Sequence, residues 1–168
     1  MIKIDLSQIE RKRLTIYEID KYCELFNSIK ANIENPNFLI EFTKKSILNL
    51  LMTGTQIYIY KYNEQKVSSA MMIPCSKESI EYYGLDIDYN EAVDFGPEFV
   101  LPEYRGNKLQ SYMINDLINL TREQGYKYYL GAVHKDNVYS KNNAIKYGEL
   151  VNTINHNGNE INIYLAKV

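Results

Sequence analysis

The strongest constraint in the sequence is one amphipathic segment and what flanks it. From Lys108 to Gln124, residues Leu109, Tyr112, Met113, Leu117 and Leu120 fall on a single helical stripe, and Gly125 supplies a stop. The run before it, Ala92–Leu101, is apolar, ends at Pro102 and reads as a strand; the run after it, Tyr126–His134, reads as a buried strand. Gly96-Pro97 inside the first run predicts a bulge or an edge position, because proline removes a ladder hydrogen bond.

The remaining elements arrange themselves around that unit. Ile19, Tyr22, Cys23, Phe26, Lys30 and Ile33 predict a helix from Thr15 to about Asn35-Pro36, and a second is predicted over Phe38–Met52 with a stop at Gly54. Gln56–Tyr62 and Lys66–Pro74 read as a hairpin about Asn63-Glu64-Gln65. Asp136 or Asn137 caps a short helix ending at Gly148, where a left-handed residue is expected, and Glu149–Ile154 with Glu160–Val168 closes the chain as a hairpin about His156–Asn159. The order is (β)ααβββαβαββ, with Ile2–Leu6 as an optional first strand: an α/β (α+β) fold of about seven strands and four helices. The 168 residues suit one domain, 1–168, with no second one.

Composition narrows the function. Nineteen Lys and Arg against 21 Asp and Glu give a net charge of −2, which argues against a nucleic-acid partner. Cys23 and Cys75 stand far apart without a CxxC or Cys/His cluster, so neither disulfides nor a metal site are expected and a reducing cytoplasm fits. No apolar run approaches the ~18 residues of a membrane span.

Chemistry concentrates where the Ala92–Leu101 strand meets the long helix. A strand-to-helix junction directs unpaired backbone N–H groups and the positive end of the helix dipole at one spot, the natural seat of a phosphate or diphosphate, and Arg105 adds a fork of donors. Val100-x-Pro102-Glu103-Tyr104-Arg105-Gly106-Asn107, followed about one helix and one strand later by Asp136-Asn137-x-Tyr139-Ser140-x-Asn142-Asn143 through Gly148, resembles the paired motifs of the GNAT acetyltransferase superfamily. The resemblance implies an acetyl-CoA-dependent N-acetyltransferase that passes the acetyl group directly to a primary amine in a ternary complex, with coenzyme A as co-substrate and no metal. It implies that the Val100 backbone meets the pantetheine arm and the thioester oxygen. Arg105, Gly106, Asn107, Lys108, Leu109 and Gln110, with Ser111 next on the helix, would grip the diphosphate; Asn137 and Ser140 would contact the cofactor arm.

Two positions depart from that pattern. Where the family has glycine and then glycine or alanine, this chain has Lys108 and Gln110; helical dihedrals are expected at Lys108, since a left-handed lysine costs ~1–2 kcal/mol. Ala144 stands where many members carry a proton-donating tyrosine, leaving Tyr139 or Tyr147 as substitutes, or water. These departures keep open an alternative, a catalytically weak or inactive acyl-CoA-binding module.

A base is expected near the end of the Ala92–Leu101 strand, and Asp94 and Glu98 are the candidates, Glu98 being closer to the reaction point. Ser76–Glu91, with Glu78, Glu81, Asp86, Asp88 and Glu91 around Tyr82, Tyr83 and Tyr89, reads either as a solvated hairpin or as a region attracting a cationic amine. The resemblance implies as acceptor a small-molecule amine or a lysine or N-terminal amine. His134 is expected to bond Asp136, Cys75 to be a buried strand cysteine, and the last strand to be available for pairing across a homodimer.

Overall fold

The structure is a computed structural model and describes residues 2–168. Seven strands hydrogen-bond in the order β1-β2-β3-β4-β5-β7-β6. They are β1 (Glu10–Arg13), β2 (Gln56–Tyr62), β3 (Gln65–Pro74), β4 (Ala92–Val100), β5 (Tyr128–His134), β6 (Glu149–His156) and β7 (Asn159–Lys167). The helices are α1 (Ile19–Ala31), α2 (Lys44–Met52), α3 (Lys77–Tyr83), α4 (Leu109–Glu123) and α5 (Val138–Tyr147). The sheet is mixed: β4 and β5 run parallel, whereas β1–β2, β5–β7 and β6–β7 are antiparallel. Among the described residues no helix is long and apolar enough to cross a membrane.

The chain divides into two compact units, Met1–Met71 with Pro97–Met113, and Met72–Gly96 with Ile114–Val168. The first is organised by aromatic rings. Phe26 of α1 meets Phe42 and Phe99 edge-on at 5.0 and 5.8 Å between centroids, and the buried Tyr22 hydroxyl shares a 3.2 Å hydrogen bond with Ser69. Such ring pairs add ~0.5–1.5 kcal/mol beyond their buried area. The β2–β3 hairpin turns on Asn63 and Glu64, both at positive φ (48° and 64°), a two-residue turn whose twist suits antiparallel strands. Gln65 therefore already belongs to β3.

In the second unit Ile80, Ala92, Leu130 and Ile163 form a buried cluster against which Cys75, Tyr83 and Leu165 pack. The β6–β7 hairpin turns on Asn157 (φ 51°) and Gly158 (φ 83°).

Several expectations are corrected. The first helix stops at Ala31, where the Asn32 side chain donates to Ser28 O (2.7 Å); its buried stripe ends with Ile29, and neither Lys30 nor Ile33 extends it. Residues predicted as the start of the second helix form instead a 3₁₀ turn, Pro36–Phe38, and an irregular stretch; α2 begins after Thr43, whose hydroxyl accepts from Ser46 N while Ser46 Oγ accepts from Thr43 N. Ser76 and Ser79 make the same reciprocal cap, and Gly84 (φ 68°) closes α3, a fifth helix where a hairpin or loop was expected. Ile2–Leu6 is not a strand; the first strand is Glu10–Arg13. Gly148 is extended (φ −151°), and its need for glycine is steric: a Cβ there would lie 3.2 Å from Leu165 O of β7. The last strand, β7, is hydrogen-bonded on both sides, so it offers no edge for a second copy; β6 holds the edge.

Candidate active site

In the first unit the end of β4 is tied by Leu101 N donating to Val67 O (2.9 Å), and the 3₁₀ turn Pro102–Tyr104 is pinned by the Tyr104 hydroxyl donating to Gln65 Oε1 (2.7 Å). The chain then makes the loop Arg105–Lys108 and enters α4, whose own ladder opens with Tyr112 N donating to Lys108 O (3.0 Å). Amides before Tyr112 thus lie ahead of the helical ladder, at the positive end of the dipole. Arg105 Nε donates to Val100 O (3.3 Å), joining two of the residues expected to hold the cofactor, and Leu109 is buried.

Lys108 corrects an expectation. Its φ is +61°, in the left-handed region, and Gly106 precedes it at +82°. The lysine therefore adopts the backbone for which glycine is favoured at this position. The reason is tertiary: the Asn107 side chain between them donates to Ile2 O (2.7 Å) and Tyr104 O (2.9 Å) and accepts from Ile4 N (3.3 Å). Three hydrogen bonds at ~0.5–1.5 kcal/mol each outweigh a left-handed cost of ~1–2 kcal/mol.

The loop fits a diphosphate. Arg105, Gly106 and Lys108 are exposed, and two of the three are cationic. The loop leads directly into the N-terminus of α4, where the helix dipole favours an anion.

Glu98 stands on β4 beside this loop and receives a hydrogen bond from Gln110 Nε2 (3.1 Å). Burial pushes its carboxyl up to about 7, against the smaller lowering effect of the Gln110 bond. Gln110 was expected to serve through its backbone; its side chain also fixes the candidate base. Nothing in the sequence pairs residues 98 and 110 except their proximity across the loop.

Asp94 belongs to the second unit and has a different setting. The Tyr83 hydroxyl of α3 donates to its Oδ2 (2.7 Å). Burial raises Asp94 to about 6, with the Tyr83 bond opposing, and the Asp94 charge in turn drives the Tyr83 phenol well above its ordinary value. Cys75 is pushed up to about 12, by burial first and the Asp94 charge second, so it is a thiol and not a nucleophile at neutral pH. Tyr83 belongs to the segment read either as a solvated hairpin or as a region attracting a cationic amine; its hydroxyl holds Asp94, and its carbonyl accepts from Asn152 Nδ2 (2.8 Å).

On α5 the Asn137 side chain accepts from Ser140 N (3.2 Å), so these two residues are joined as a helix cap. Tyr139 is 83% exposed, and the Tyr147 hydroxyl accepts from Asn115 Nδ2 (3.1 Å). His134 accepts from the Asp136 amide at Nδ1 (3.1 Å), which places its proton on Nε2, facing Asn159 Oδ1 (3.2 Å). His156 shares a 2.8 Å hydrogen bond with the Tyr82 hydroxyl at the end of β6.

No family model and no curated protein matches the chain in sequence. Solved structures match it closely in fold. An N-acetyltransferase from Staphylococcus aureus superposes with a TM-score of 0.72 at 12% identity, covering 95% of this chain and 98% of that one. RimL, a ribosomal L7/L12 alpha-N-protein acetyltransferase solved with coenzyme A, gives 0.72 at 13% identity over 96% and 95%. A GCN5-related N-acetyltransferase from Kribbella flavida gives 0.71 at 13% identity over 98% and 100%. The chain has the GNAT acetyltransferase fold.

Proposed function

We propose that residues 1–168 form one acyl-CoA N-acyltransferase domain, most simply an acetyltransferase of the cytoplasm, acting on a primary amine. The observation that carries this reading is the backbone of the β4–α4 loop: a lysine held at φ +61° between an exposed arginine and the start of α4. A diphosphate is the ligand whose charge and size such donors match. Acetyl-CoA, when bound, supplies an acyl group activated as a thioester.

The chain's own residues supply binding and proton transfer. Arg105 and Lys108, with the amides of Gly106 through Ser111, neutralise the diphosphate. The Val100 N–H, at the end of β4, is assigned to the thioester oxygen. Glu98 takes the proton from the acceptor's ammonium, directly or through a water, a role suited to a carboxyl raised to about 7. Ala144 has no proton to give and Tyr139 projects into solvent, so the departing thiolate takes its proton from Tyr147 or from water.

Calorimetric titration with coenzyme A, followed by an assay of thiol release with acetyl-CoA and a panel of amines, tests the reading. Binding that Arg105→Ala weakens roughly tenfold, with amine-dependent thiol release above spontaneous hydrolysis, is the expected result. Binding without turnover would identify the acyl-CoA-binding module instead, and no binding at millimolar coenzyme A would sink both.

A further inference from the structure

The contacts of Asn107 reach beyond its own loop. Residues 2–4 lie against the β4–α4 junction, with Ile2 N donating to Glu103 O (2.7 Å), Ile2 O accepting from Asn107 Nδ2 (2.7 Å), and Ile4 N donating to Asn107 Oδ1 (3.3 Å). The same Nδ2 donates to Tyr104 O (2.9 Å), so one amide group ties together three backbone positions, two of them more than a hundred residues away in sequence. The residues on either side of it, Gly106 and Lys108, both have positive φ. A lysine leaves that region when nothing holds it there, because its Cβ crowds the following carbonyl.

We infer that the N-terminal segment 2–4 is a strap that, through Asn107, holds the β4–α4 loop in its anion-binding conformation, making Asn107 a positioning residue for coenzyme A binding. This rests on the reading above and deepens it. With the strap in place the loop is organised before ligand arrives; without it, binding must first drive Lys108 into the left-handed region and affinity falls by the corresponding factor. The bonds named here are main-chain and amide bonds, which carry no net charge.

The test is a pair of double-mutant cycles read as the dissociation constant of coenzyme A by calorimetry. Asn107→Ala and deletion of residues 2–4 are each expected to weaken binding about tenfold, and the two together no more than either alone, because both remove one device. In a Lys108→Gly background, where the left-handed conformation is unstrained, Asn107→Ala is expected to cost less than about threefold. A residue that merely supports folding would show neither the non-additivity nor the rescue by glycine. Affinity unchanged by Asn107→Ala, additive losses with the deletion, or an equal loss in the glycine background each overturns the strap while leaving the enzyme reading standing. Wild-type protein that binds no coenzyme A overturns both. Should the deletion fail to fold, the Lys108→Gly cycle decides by itself.

Discussion

Asp94 and Glu98 lie on the same strand, both with carboxyls raised by burial, yet their surroundings differ in kind. Asp94 is bonded by the phenol of Tyr83, in the unit whose core is Ile80, Ala92, Leu130 and Ile163, with the Cys75 thiol close enough to feel its charge. Glu98 is bonded by the neutral amide of Gln110 in the first turn of α4, next to the exposed Arg105–Lys108 loop. A phenol anchored in a short helix makes the first carboxylate a tether for α3. An amide in the first turn of α4 holds the second in place without taking up its capacity to accept a proton. Burial raises both carboxyls; what separates them is the partner and its element, a phenol of α3 for Asp94 and an amide of α4 for Glu98.

The largest effect that can break this comparison is catalytic. Glu98→Gln is expected to reduce amine-dependent acetyl transfer by about 10²–10⁴-fold, and Asp94→Asn by less than about fivefold, in steady-state assays. In the wild-type protein kcat/KM should rise with pH through about 7, since a base acts only when deprotonated, and that limb should vanish in Glu98→Gln. The reverse ranking would make Asp94 the base.

A smaller effect separates the two in stability. Tyr83→Phe strands the Asp94 carboxylate without its donor and should cost about 1.5–3 kcal/mol in urea denaturation at pH 8, and less at pH 4, where Asp94 is protonated. Equal loss at both pH values would show that Tyr83 contributes by packing alone.

The smallest effect is linkage. Because both carboxyls titrate higher when folded, the native state holds their protons longer than the unfolded chain. Each contribution is complete below the unfolded value and is lost as pH rises through the folded one: between 3.8 and about 6 for Asp94, and between 4.5 and about 7 for Glu98. Relative to wild type, Asp94→Asn should gain stability over the first window and Glu98→Gln over the second, in denaturation series across pH. Coincident windows would mean that the two environments are alike after all.

Patterns confined to neighbours in the chain were legible. Of the stripe Leu109, Tyr112, Met113, Leu117 and Leu120, all but the half-buried Tyr112 are buried, and the strand limits Gln56–Tyr62 emerge unchanged. The α3 helix was missed although its signals were present, a Ser76/Ser79 reciprocal cap and a Gly84 stop, because its charged and aromatic residues give little periodicity over seven positions. Of the site, the loop and Glu98 could be singled out, but Gln110 as the partner of Glu98 and Tyr83 as the partner of Asp94 could not, since a side-chain hydrogen bond leaves no periodic trace.

By itself the sequence determined the order of strands and helices, apart from α3 and the first strand, and the place of the loop between β4 and α4, because period, capping and turn chemistry act over a few residues. Only the tertiary structure decided that Lys108 is left-handed, that β7 lies inside the sheet and that Asn107 binds residues 2–4. Each of those depends on hydrogen bonds between segments distant in the chain, whose combined free energy overrides the local preference that a sequence expresses.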